Sequence, residues 1–383
     1  MLQRTRATIL FLALAAAGLP ARAAPSGPDP VPAAAAVPAT PAQAEVMRIP
    51  DELRALVHER VVAPGQGPTG RLERLVELIF GEQGMALEYD YQTTRTVAET
   101  WRDRRANCLS FSLLFVALAR EAGLDADVQE VGEVLAWYED QGIVYNADHV
   151  NVGVRVGSQT KIVDLDRNVL VSRERPHIVS DTRAMAHYHN NRGAELLAAG
   201  NEAAALAALH ASLADDAGFV AAWNNLGVLL QRQDDLRGAE QAFLTALALR
   251  PSYGAALSNL VALYRRSGQD GKARSYALRQ ERVQRNDPFH QFMLAVRCEN
   301  GGDYACAIRH YRTAIRIQDG QHQFHFGLAR AYFLAGDLQR ARRELVRAHE
   351  LGTTSQVRQV YLRKLEHLRH WREATAAHAA PRG

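Results

Sequence analysis

Apolar residues first recur at helical spacing near Asp51, with Leu53, Leu56 and Val57. The spacing resumes at Arg71, with Leu72, Leu75, Val76, Leu78 and Ile79 on one face. From about 108 to 122 the chain is apolar almost all round: Leu109, Phe111, Leu113, Leu114, Phe115, Val116 and Leu118. A helix with no polar face has to be buried, and Gly123 is placed to end it. The period then shortens to two. Val128 to Val134, His149 to Val156 and Lys161 to Leu165 alternate as strands, with Gly157-Ser158 as a two-residue hairpin turn. The result is an α+β pattern over residues 46–180.

Beyond residue 180 a longer period takes over. Ala205, Ala239, Ala273, Ala307 and Ala341 stand 34 residues apart. Gly193, Gly227, Val261, Ala295 and Ala329 keep the same step, as do Leu196, Leu230, Tyr264, Cys298 and Tyr332, and Leu209, Phe243, Ala277, Tyr311 and Leu345. Small residues at two fixed places let paired helices approach, and larger ones fill the space between neighbouring pairs. This resembles the tetratricopeptide repeat. The second repeat carries Trp223, Leu226-Gly227, Ala239, Phe243, Ala246 and Pro251. The pattern predicts an all-α solenoid of five repeats over 186–355, starting at 186, 220, 254, 288 and 322. A capping helix at 356–371 and a disordered tail at 372–383 follow.

Composition narrows the class. The chain has 383 residues, 47% hydrophobic and 23% charged, with a formal net charge of +3. That charge is too small for its length to suggest nucleic acid or a membrane surface as partner. Three cysteines exclude a disulfide-dense scaffold. At the N-terminus Arg4 and Arg6 precede an apolar run from Ala7 to Leu19, and Ala21-Arg22-Ala23 has the small-x-small form of a cleavage site. Residues 1–23 therefore read as a signal peptide, with a mature chain beginning at Ala24. Residues 24–45 read as an Ala/Pro-rich linker. The expected location is the bacterial periplasm or outside the cell, with no stable membrane span after cleavage.

Candidate chemistry centres on Cys108. It follows Asn107, a favoured N-cap, and so lies in the first turn of the buried helix, where the helix dipole favours thiolate. His149 lies on the strand face opposite Val150, Val152 and Val154. The hairpin turn pairs Val156 with Gln159, and counting back places Asn151 opposite Asp164 and His149 opposite Asp166. Asp164 is then a diagonal neighbour of His149, and both aspartates share its face. A base for the thiol and a carboxylate to orient the imidazole are what a nucleophilic cysteine needs. Strand geometry alone does not separate Asp164 from Asp166.

Several segments resemble the core of the transglutaminase-like superfamily. They are Thr96…Ala98-Glu99, Arg105-Ala106-Asn107-Cys108, Ala119-Arg120-Glu121-Ala122-Gly123-Leu124, His149-Val150-Asn151-Val152 and Val163-Asp164-Leu165-Asp166. The likeness spans roughly residues 50–180 and departs at Asn107, where many members carry Gly. It implies a papain/transglutaminase-like α+β fold with Cys108 as nucleophile, His149 as base and Asp164 as orienter. It also implies an oxyanion hole made by the Cys108 N–H and an upstream side chain, for which Tyr89, Tyr91, Gln92 and Trp101 are candidates.

The expected function is acyl transfer through a thioester, as an amidase, peptidase or amide crosslinker, with no cofactor or metal. A second expectation is a catalytically inactive domain of this type in a repeat scaffold. An arylamine acetyl-transfer enzyme, which needs cytosolic acyl donors, ranks third. The partner is expected to be a protein or peptide held in the repeat groove by Asn191, Asn225 and Asn259 at repeat position 6, and by Phe292 and Phe326 at position 5, with Phe289 beside them. The pairs His187/His189 and His322/His325 read as surface histidines rather than metal ligands. Arginines from 265 to 316 read as a solvated face. Cys298 and Cys306 fall on the two helices of one hairpin, about equally far from its turn, and are expected to form a disulfide.

Overall fold

The computed structural model describes residues 40–81, 83–136, 145–165, 169–170, 176–352 and 355–379. The signal-like segment 1–23, residues 24–39 of the Ala/Pro-rich stretch, Asp166 and the end of the tail lie outside these.

Short helices open the described chain: α1 (Gln43–Val46), α2 (Asp51–Val57), which runs on into a π-helical turn at His58–Val62, and α3 (Pro68–Phe80). Strand β1 (Glu88–Tyr89), helix α4 (Val97–Asp103) and strand β2 (Arg105–Ala106) lead into helix α5 (Cys108–Glu121). Thr96 and Glu99 form a capping box at the start of α4, and Arg104, at φ 56°, turns the chain from α4 into β2. β1 and β2 pair in parallel, Tyr89 opposite Ala106, so the 88–91 segment runs beside the entry to α5.

Every residue of α5 from Leu109 to Ala119 is buried, as its uniformly apolar sequence requires. It packs on an antiparallel sheet made of β3 (Asp125–Ala136), β4 (Tyr145–Val156), β5 (Gln159–Val163), β6 (Val169–Leu170) and β7 (His177–Ile178). The strand order is β5-β4-β3-β6, with β7 also on β3. The β4–β5 register is the expected one, Val156 opposite Gln159 and Val152 opposite Val163. Gly157, at φ 61°, supplies the left-handed residue of the turn. A register shift in β3 between Val131 and Val134 falls opposite His149.

Eleven helices follow: α6 (Asp181–Ala198), α7 (Glu202–Asp215), α8 (Val220–Arg232), α9 (Leu236–Leu249), α10 (Gly254–Arg266), α11 (Asp270–Arg285), α12 (Pro288–Asn300), α13 (Tyr304–Ile317), α14 (His322–Leu334), α15 (Leu338–Leu351) and α16 (Ser355–Ala379). They form five tetratricopeptide-type hairpins and a terminal helix. The small columns sit where helices touch. A Cβ on Gly227 would lie 2.5 Å from the Phe243 ring, and one on Gly193 would lie 2.9 Å from Leu209. Ala205, Ala239, Ala273, Ala307 and Ala341 are all buried.

α6 belongs to both halves of the chain. Ala184, Met185 and Tyr188 complete the core around α5, while Leu197 packs in the first repeat hairpin. The face of α6 that a preceding repeat would cover is thus occupied by the α+β domain, which caps that end of the array. At the other end Tyr361 of α16 closes the core, its hydroxyl hydrogen-bonded to His322 Nδ1 at 2.7 Å. Pro38–Gly383 forms one compact unit. The end of the Ala/Pro-rich stretch is part of it, because Pro41 O accepts from His189 Nε2 at 3.0 Å.

Candidate active site

Cys108 is the first residue of α5, half-buried and not disulfide-bonded. Asn107 caps the helix, its Oδ1 accepting the Ser110 N–H at 2.8 Å. The capping amide is itself held, because Asn107 Nδ2 donates to Thr94 Oγ1 at 2.8 Å in a buried bond. Arg95 N–H donates to Ser110 Oγ at 2.8 Å, and Ser112 Oγ donates to the Cys108 carbonyl at 2.8 Å. The nucleophile candidate therefore sits on a first turn fixed from two sides.

His149 on β4 is 5% exposed, and its Nε2 bonds Asp164 Oδ2 at 2.7 Å. Its ring also interacts with the Cys108 side chain. Burial alone would push the imidazole toward neutrality. The hydrogen bonds to Asp164 and Cys108, with the charges of both, override it and raise the pKa to about 10. Cys108, His149 and Asp164 thus form one hydrogen-bonded set. Asp166, the alternative by strand parity, lies outside the described residues.

Two buried amides extend the polar face of the sheet. Gln129 and Asn151 stand opposite each other on β3 and β4, on the His149 face, each nearly fully buried. Gln129 folds over Gly153, where a Cβ would lie 2.2 Å from its Nε2, so a larger residue there would make the Gln129 side chain move.

The oxyanion-hole candidates divide. Tyr91 and Gln92 are exposed and Tyr89 is only marginally covered. Trp101 is half-buried against the α5 core, with the Arg104 guanidinium 3.6 Å over its ring. The Cys108 N–H belongs to the first turn, which has no intrahelical acceptor.

The asparagine ladder is present but partly occupied. Asn225 Nδ2 donates to Asn190 Oδ1 and Asn259 Nδ2 to Asn224 Oδ1, each at 2.9 Å, tying position 6 of one repeat to position 5 of the one before. Asn191 accepts from Asn190 at 3.4 Å. Each amide keeps a second N–H and spare lone pairs. The aromatic half of the expected groove needs correction. Phe292 is buried between Phe324 and Tyr311, with ring centroids at 5.1 and 5.5 Å, and Phe289 packs edge-on to Phe324. Phe326 is half-buried against Tyr361 of α16, centroids 5.4 Å apart. These rings are spent on the array's own packing and its cap.

The histidine pairs are buried too, rather than on the surface. His187 bonds Glu130 at 2.6 Å, His189 bonds Asp215 at 2.7 Å and His325 bonds Glu344 at 2.8 Å. Cys298 and Cys306 are joined in a disulfide. Together with His310 they form a set whose ligand-type atoms lie within 4.8 Å of one another, but the sulfurs are bonded to each other. No helix among the described residues is long and apolar enough to cross a membrane.

No family model and no curated protein matches the chain. Solved structures with some similarity include MamA from Desulfovibrio magneticus RS-1, at 18% identity over 44% of this chain and 94% of that one, TM-score 0.25. YrrB, described as a TPR protein with an unusual peptide-binding site, is 18% identical over 47% of this chain and 92% of its own, TM-score 0.25. The Cut9–Hcn1 hetero-tetramer of APC/C is 20% identical over 47% of this chain and 37% of its own, TM-score 0.26. Likeness at these scores carries no argument. The repeats stand on their own spacing and hairpin packing.

Proposed function

We propose that the protein is an exported cysteine-nucleophile acyl-transfer enzyme whose repeat array holds a protein or peptide partner. The observation that carries this reading is the buried His149 bonded to Asp164 at 2.7 Å, with Cys108 beside it at the start of a capped helix. In the proposed reaction the Cys108 thiolate attacks an amide or ester carbonyl carbon. The oxyanion that forms is held by the Cys108 N–H at the helix N-terminus. The His149 imidazolium gives its proton to the departing amine or alkoxide as the carbon–heteroatom bond breaks, leaving a thioester. Neutral His149 then takes a proton from water or an amine, whose attack on the thioester releases acid or a new amide and expels the Cys108 thiolate, restoring the starting thiolate–imidazolium pair. Asp164 keeps the ring oriented throughout. The outcome depends on which second nucleophile reaches the thioester.

The export reading rests on the signal-like pattern of residues 1–23, and the Cys298–Cys306 disulfide agrees with an oxidising compartment. For the repeats, the remaining amide capacity of Asn191, Asn225 and Asn259 supports contact with an extended backbone. Phe292 and Phe326 drop out of that surface.

A p-nitrophenyl acyl ester tests the chemistry. The expected result is a burst of nitrophenolate equal to the protein present, with one acyl group found by peptide mass mapping on Cys108 and absent from Cys108→Ala. No acylation of Cys108 would reject the enzyme reading and leave a repeat scaffold with an inert cysteine domain.

A further inference from the structure

Glu195 lies on α6, the first repeat helix, outside the Cys-His-Asp set. Its carboxylate nevertheless reaches into the α+β domain. Glu195 Oε1 accepts the Thr94 backbone N–H at 2.7 Å, and Oε2 accepts from Arg192 Nη1 at 2.5 Å. The residues joined by the first bond are 101 positions apart in sequence.

Thr94 is 2% exposed, and no helix or strand holds it. Its N–H would be a buried orphan without Glu195. A charged acceptor at this distance makes a stronger bond than a neutral one. Thr94 Oγ1 in turn accepts from Asn107 Nδ2, and Asn107 Oδ1 accepts the Ser110 N–H. An asparagine cap works only with its oxygen facing the helix, and the bond to Thr94 fixes that orientation. The neighbouring Arg95 N–H secures Ser110 Oγ. An unbroken chain of hydrogen bonds thus runs from the first repeat helix through Thr94 and Asn107 to the turn that carries Cys108.

We propose that Glu195 is a positioning residue for Cys108, so that the first tetratricopeptide hairpin completes the nucleophile's site. The proposal rests on Cys108 being the nucleophile. It gives a physical reason for fusing the two halves through one shared helix instead of a flexible linker. A cysteine domain ending at residue 180 would lack the acceptor that fixes its own helix cap.

The test is the rate of Cys108 alkylation by iodoacetamide across pH in the full chain, with melting temperature measured beside it. Glu195→Ala removes the acceptor, and Glu195→Gln keeps an oxygen for the Thr94 N–H. Thr94→Val breaks the chain one link further on with nearly the same shape. Loosening the cap weakens the helix-terminus effect on the thiol. Glu195→Ala and Thr94→Val should then react roughly threefold more slowly than wild type at neutral pH. Glu195→Gln should follow wild type. A Glu195→Ala or Thr94→Val profile that overlays wild type, even with a lower melting temperature, would make Glu195 mere domain adhesive and overturn the inference alone. A wild-type thiol that reacts like free cysteine overturns both the inference and the nucleophile reading beneath it.

Discussion

At His149 two hydrogen bonds outweigh burial. A buried imidazole left to itself is neutral, but here Asp164 at 2.7 Å and Cys108 hold the proton on, up to about pH 10. The sign follows from linkage. A pKa raised above the ordinary 6.5 gives stabilisation that is complete below 6.5 and is lost as pH rises through about 10. The His149 ring signals in a histidine-detected NMR titration should therefore stay constant through neutral pH and move near 10. A midpoint near 6.5 would show that the bonds do not hold in solution. Cys108→Ala should abolish acyl transfer, and His149→Ala should lower it by about 10²–10⁴-fold. Asp164→Asn should cost more turnover than Asp166→Asn, and wild-type rates in Asp164→Asn would remove Asp164 from the set. The sequence already placed His149 and Asp164 on one face, because period-two parity and the Gly157 turn fix both. It could not show that Thr94 braces Asn107, since no local pattern marks a loop residue whose partners, Asn107 and Glu195, come from two separate segments.

Among the elements, the repeat hairpins were the most legible, because a close helix crossing admits only small residues and the crossing recurs every 34 positions. Gly227 marks the tightest of the crossings at its column, with a missing Cβ 2.5 Å from the buried Phe243 ring. Gly227→Ala should lose about 1–3 kcal/mol in urea unfolding despite the better helix propensity of alanine. Unchanged or raised stability would mean the hairpin relaxes freely. Asn225→Ala, which breaks the bond to Asn190, should cost about 1 kcal/mol in the same assay. The aromatic positions were misread for a physical reason. Position 5 is buried early in the array as well, at Asn190 and Asn224, and near the C-terminal end Phe324, Tyr311 and Tyr361 pack on Phe292 and Phe326.

For the molecule as a whole, the joint between sheet and repeats is built on Glu130. Its carboxylate is shared by His187 and Arg183 of α6, each at 2.6 Å, and Arg183 also stacks on Phe219. Burial opposes the charge, but the His187 and Arg183 bonds hold the Glu130 pKa at about 2, below its ordinary 4.5. That stabilisation is complete above 4.5 and is lost as pH falls toward 2. Glu130→Gln should therefore melt below wild type at neutral pH, with the gap closing in acid. A gap that does not change with pH would assign the loss to packing instead. None of this was readable from His187 alone, because a histidine on a polar helix face looks solvated until the domain that covers it is known. The most direct test of the central claim, a catalytic thiol activated by His149, is the neutral-pH rate of Cys108 alkylation in the full chain with and without His149→Ala. The account predicts rapid alkylation in wild type and a large drop in the variant. Equal, slow rates in both, typical of an ordinary thiol, would contradict it.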